Sequence, residues 1–121
     1  MLNILAVGSG GFIGAAMRYI IGLIPLNEVH IFPLKTFLIN VTGCFVIGFI
    51  SVLSAKYTQA YPHLLLFLKV GLCGGFTTFS TFALETADLM KSGHIAVAFI
   101  YVILSVLAGT AAIFIAEYIN I

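Results

Sequence analysis

The chain has 121 residues, 62% hydrophobic and 7% charged, with a mean hydropathy of +1.22. A soluble domain carries roughly 25% charged residues, so this composition excludes one and marks an integral membrane protein. The formal net charge of +1, with no basic run, argues against a nucleic-acid partner or an electrostatic hold on lipid headgroups. Cys44 and Cys73 both lie in apolar segments, where thiols pack as small hydrophobes and form neither a disulfide framework nor a metal site.

A hydrocarbon core about 30 Å thick needs about 20 apolar residues per helical crossing, and the apolar runs allow four crossings in a single transmembrane domain over 1–121. The N-terminus, Met1 to Leu5, lacks the charged region of a signal peptide and is expected to be retained. The first span is expected over about 3–24, ending before Pro25. In it Gly10 and Gly14 stand four apart beside Ala15, a small-residue face that lets another helix backbone approach. Arg18 lies near the end of this span, as an interface anchor or facing a water-filled vestibule that it makes attractive to anions.

A short loop carrying Glu28 and His30 leads to Pro33 and the second span, about 33–55. Thr36, Asn40 and Gly43 share one face of it as a polar stripe. Asn40 has two readings there, an interhelical hydrogen bond or an amide donor to an anion. The third span, about 62–91, begins at Pro62 and is interrupted by Gly71-Leu72-Cys73-Gly74-Gly75-Phe76-Thr77-Thr78-Phe79-Ser80-Thr81-Phe82. Glycines lower helix stability and hydroxyls seek partners, so a break is expected near 74–79. Non-helical backbone at membrane depth survives only where protein buries it or water reaches it, which makes a broken helix the place to expect an ion or substrate site.

Beyond the break, Phe79 and Phe82 share one face of the second half-helix, and the pairs Thr77 with Ser80 and Thr78 with Thr81 are spaced likewise. The phenylalanines serve either as core packing or as ring edges, weakly positive, turned toward a narrow anion path. The carbonyls of Gly74 and Thr77 are candidates to coordinate a cation. The fourth span, about 94–118, carries Tyr101, Ser105 and Gly109 at four-residue intervals, with Thr110 next to Gly109, as a polar track.

Lys56 and Lys69 fall on the side of the N-terminus, Lys35 and Lys91 on the other, so the positive-inside rule selects neither orientation. The expectation is dual topology, with copies inserted both ways and paired antiparallel. His30, His63 and His94 lie in or beside loops with no nucleophile motif or metal spacing around them, which argues against an enzyme.

Three stretches, Gly10-Gly11-Phe12-Ile13-Gly14-Ala15-Ala16-Met17-Arg18-Tyr19, Asn40-Val41-Thr42-Gly43 and Gly74-Gly75-Phe76-Thr77-Thr78-Phe79-Ser80-Thr81-Phe82, closely resemble the signatures of the small bacterial fluoride channels, the Fluc or CrcB family. The resemblance implies an antiparallel homodimer of four-helix subunits in the bacterial cytoplasmic membrane. It also implies two pores for passive fluoride export, which lowers fluoride toxicity, and a central structural sodium ion. It places Asn40, Phe79, Phe82, Ser80, Thr81, Tyr101, Ser105 and Arg18 on the fluoride pathway, sodium on the carbonyls of Gly74 and Thr77, and Glu85 near a pore mouth. Gly109 stands where that resemblance implies a hydroxyl, with Thr110 as its substitute. A small multidrug exporter is the competing four-helix dual-topology dimer, but it needs an acid in the first helix, and none is present there. A non-transporting assembly subunit leaves the polar third helix unexplained.

Overall fold

The computed structural model describes residues 1–25, 31–57 and 59–120, and Glu28 and His30 lie outside them. Helix α1 is Leu2–Gly22, α2 is Leu34–Tyr57, α4 is Phe79–Lys91 and α5 is Ile95–Ile119. Helix α3, residues 62–76, is composite: an α turn over Pro62–Leu65, a π-helix over Leu66–Cys73 and an α turn over Gly74–Phe76. Among the described residues these make four spans, Leu2–Gly22, Leu34–Tyr57, Pro62–Lys91 and Ile95–Ile119, each long and apolar enough to cross a membrane.

The span ends follow local chemistry. Lys35 Nζ donates to Gly22 O at 2.8 Å, placing a cation where α1 leaves its last carbonyls open. Pro33 precedes α2, its carbonyl accepting from Phe37 N at 3.1 Å, and Pro62 opens α3, where the missing N–H costs nothing. Gly93, with φ of +85°, ends α4 in the left-handed conformation that glycine adopts without strain.

The break is narrower than 74–79. Gly74 and Gly75 remain helical, and only Thr77 (φ −79°, ψ 161°) and Thr78 (φ −150°, ψ 118°) are extended. The threonines therefore belong to the interruption and not to the second half-helix, so Thr77 with Ser80 and Thr78 with Thr81 are not pairs on one helical face. Extended backbone suits β-branched side chains. The glycines act through their size instead. A Cβ on Gly75 would lie 2.6 Å from Gly11 O, and one on Gly71 would lie 2.7 Å from Val7 O and 2.9 Å from Gly10 Cα. From the other side, a Cβ on Gly10 would strike Phe67 O, and one on Gly14 would strike Leu72 O. The face formed by Gly10 and Gly14 thus meets a matching one on α3, and two backbones touch along a glycine seam. The π-helix within this seam has no signal in the sequence.

Helices α2 and α5 run parallel in close register. A Cβ on Gly48 would lie 2.9 Å from Ile113 O, and one on Gly109 would lie 3.2 Å from Cys44 Sγ. Tyr101 (0% exposed), Ala98 and Leu89 pack with Phe32, Phe37 and Phe82 at one end, while Ile50, Leu65 and Cys73 form a second cluster. Much of the remaining apolar surface, including Phe12, Leu107 and Phe114, faces outward, as suits a chain solvated by lipid.

Because the seam joins backbone to backbone, a side chain there has no flexible neighbour to displace. Gly14→Leu should cost roughly 1–3 kcal/mol or more of stability and remove the monodisperse species from size-exclusion chromatography in detergent. Gly8→Leu, at a position with open space around it, should elute as the parent does.

Candidate functional site

Two extended residues inside a membrane helix strand backbone groups that must find partners. Asn40 supplies them from α2: its Nδ2 donates to Thr78 O at 3.1 Å and its Oδ1 accepts from Thr78 N at 2.8 Å. The amide is thereby oriented, with one N–H still uncommitted by these two bonds. Thr78 then caps α4, its Oγ1 accepting from Thr81 N at 3.2 Å and donating to Thr81 Oγ1 at 3.1 Å. Thr77 Oγ1 donates to Cys73 O at 2.9 Å, closing the end of α3. Arg18, half-buried on α1, donates from Nε to Gly75 O at 3.2 Å, so its charge sits against the break.

A second polar knot lies nearly two turns into α4. Glu85 Oε2 accepts from Thr36 Oγ1 and Oε1 from Tyr101 OH, each at 2.9 Å, tying α2, α4 and α5 through one carboxylate. Tyr101 is held by ring contacts as well, edge-on to Phe82 with centroids 5.0 Å apart and to Phe32 at 5.3 Å.

Two clefts flank these bonds. One, of about 340 Å³, is lined by Asn40, Phe79, Phe82 and Ser105, and by Gly74 and Thr77 from the break. Phe79 is 79% exposed, its ring centroid 5.8 Å from that of Phe82 at an interplanar angle of 50°. Ser105 Oγ is buried with no hydrogen-bond partner among the described residues. The other cleft, of about 370 Å³, is the more polar of the two, with Arg18, Lys35, Thr36, Thr81 and Glu85 on its walls and Thr78 shared with the first.

The structure therefore gathers Asn40, Phe79, Phe82 and Ser105 in one cleft with Gly74 and Thr77, and places Arg18 and Thr81 in the other. Ser80 is exposed and lines neither, its Oγ 3.5 Å from Thr78 Oγ1. Tyr101 also lines neither, being wholly buried behind Phe82 with its hydroxyl given to Glu85. Thr110 is exposed and does not replace a hydroxyl at Gly109, which rests against Cys44; one residue along α5 turns the side chain by about 100°. Sequence reasoning missed the convergence of Thr36, Glu85 and Tyr101. The polar stripe on α2 and the track carrying Tyr101 on α5 were its traces, without the carboxylate that joins them.

The chain matches the family model described as CrcB-like protein, Camphor Resistance (CrcB), over residues 5–116. It is 45% identical to the fluoride-specific ion channel FluC of Chlorobaculum tepidum over 115 residues, which cover 94% of this chain and 90% of that one. The protein of the same name from Ruminiclostridium cellulolyticum is 43% identical, with 88% and 82% covered. That from Azobacteroides pseudotrichonymphae is 38% identical, with 92% and 90% covered.

Removing either hydroxyl donor to Glu85 leaves one half-buried carboxylate oxygen without that partner, at a cost of about 1 kcal/mol or more. Thr36→Val and Tyr101→Phe should each lower the melting temperature in detergent. The double variant should depart from additivity, because both act on the same carboxylate. Circular dichroism melts of the four proteins check this.

Proposed function

The chain belongs to the CrcB-like family, and on that premise we propose that it is a fluoride-selective channel of the bacterial cytoplasmic membrane. Its work is conduction and not catalysis. In this reading two copies, inserted in opposite orientations, pair as an antiparallel homodimer with two pores, and fluoride leaves the cell passively. The observation that carries the proposal is Ser105: a buried hydroxyl without a partner, on a cleft shared with the Asn40 amide and the rings of Phe79 and Phe82. Buried polar groups are nearly always paired, and a hydroxyl donor beside an amide and phenyl edges is suited to an anion.

Fluoride is small and strongly hydrated, so a pore must replace much of its water at nearly matched cost. Neutral donors spread along the cleft share that task without the deep well that a buried lysine would create. Arg18 and Lys35, on the polar cleft, raise the local concentration of anions before entry, an effect that falls with ionic strength. The exposed faces of Phe79 and Gly74 support pairing: Phe79 projects from its own subunit, and Gly74 has open space where a side chain would stand. A second copy seated there would complete a pathway that one chain leaves open.

The donors at the break also fit a structural sodium ion. Gly74 and Thr77 offer carbonyl oxygens, hard neutral ligands of the kind that unwound transporter helices use for sodium, and the amide that would close on Gly74 O in a continuous helix, that of Thr78, is held by Asn40. When bound, the ion supplies positive charge that neutralises these carbonyl dipoles. Asn40, Thr77 and Thr78 hold the backbone to receive it.

Liposomes containing only this protein, given a potassium ionophore to carry compensating current, should release fluoride rapidly and chloride little. No fluoride release from folded dimers would overturn the proposal. Phe79→Ile and Phe82→Ile should each lower fluoride flux by about tenfold or more, the factor carried by ~1.4 kcal/mol, while the dimer still assembles.

A further inference from the structure

The hydrogen bonds at the break determine which carbonyls are left over. In an uninterrupted α-helix the amide of residue i+4 closes on the carbonyl of residue i, which would pair Thr78 N with Gly74 O and Thr81 N with Thr77 O. Neither amide is directed that way. Thr78 N donates to Asn40 Oδ1 at 2.8 Å, and Thr81 N donates to Thr78 Oγ1 at 3.2 Å. The intervening Gly75 O is covered by Arg18 Nε at 3.2 Å. Side chains thus draw off the amides belonging to Gly74 and Thr77 while a guanidinium covers Gly75.

We propose that Asn40 is a positioning residue for the cation site at the break. By accepting from Thr78 N it keeps that amide from re-forming its helical bond to Gly74 O and so leaves that carbonyl open for a ligand, while its donation to Thr78 O orients the side chain. The inference rests on the sodium reading above and assigns to Asn40 a second role beside its place on the anion cleft. One residue then ties ion binding at the break to the wall of the conduction path, because Asn40 lines that cleft as well. A helical bond is worth about 1 kcal/mol net, so the Asn40 acceptor is a competitive alternative for the Thr78 amide.

The test uses the purified dimer in detergent at fixed protein concentration, with sodium chloride titrated against N-methylglucamine chloride at constant ionic strength. Thermal unfolding at each sodium concentration yields the midpoint of the stabilisation. Asn40→Leu, close in volume and without an acceptor, should raise the sodium midpoint by about tenfold or more, as the Gly74 carbonyl is lost to the helix. Asn40→Asp keeps an acceptor for Thr78 N, so its midpoint should be no weaker than that of the parent even though its charge opposes fluoride and lowers flux. If Asn40 were only an interhelical staple, Asn40→Leu would melt lower at every sodium concentration with its midpoint unchanged, and that result would overturn the inference. A tenfold weaker midpoint in Asn40→Asp would overturn it independently, including when Asn40→Leu does not fold. A parent protein insensitive to sodium would instead remove the sodium reading on which the inference stands.

Discussion

Inside a bilayer no solvent completes an unpaired backbone group, and the two extended residues at Thr77 and Thr78 are tolerable only because side chains, one of them from another helix, reach their backbone. Asn40 carries the larger share, its amide bonding both the N–H and the carbonyl of Thr78, and Arg18 covers a carbonyl on the preceding turn. The threonines close the remainder through their own hydroxyls. The polar residues of this apolar chain are thus concentrated where the backbone needs them. Their arrangement around the cleft lined by Asn40, Phe79 and Phe82 is a consequence of the same need.

That geometry requires a rigid frame. A half-helix that slid by one residue would carry Thr78 out of reach of Asn40, and the glycine seam between α1 and α3 resists such movement because backbone meets backbone on both sides. Gly10, Gly14, Gly71 and Gly75 are placed so that nearly any side chain would push the helices apart. Gly48 and Gly109 do the same, less tightly, between α2 and α5. Since lipid is as apolar as the helix surfaces, this close packing and the buried hydrogen bonds supply most of the specificity of association.

The Thr36, Glu85 and Tyr101 knot addresses a different problem. A carboxylate at this depth is costly, and two hydroxyl donors divide its charge between α2 and α5. Glu85 also stands on the second cleft with Arg18 and Lys35, so that cleft carries both signs of charge. Tyr101, locked behind Phe82, acts on the cleft only through the ring that it presses against.

Spans, their ends and the packing face of Gly10 and Gly14 were legible in the chain, because hydropathy, proline and helical spacing act over a few residues and need no partner to be identified. The polar stripe of Thr36, Asn40 and Gly43 was legible as a stripe, and its placement facing the break agrees with it. What the stripe binds was not. Asn40 meets a residue 38 positions away and Thr36 one 49 away, and no local rule names such partners. Glycine marked the break in the sequence, yet the helix opened at the threonines, with Gly71 and Gly75 packed in the helical seam against α1. Composition and periodicity determined that this chain crosses a membrane four times with its polarity gathered on the third span; only tertiary packing decided which backbone groups were freed there, because a hydrogen bond depends on where its partner is brought and not on how far away it lies in the chain.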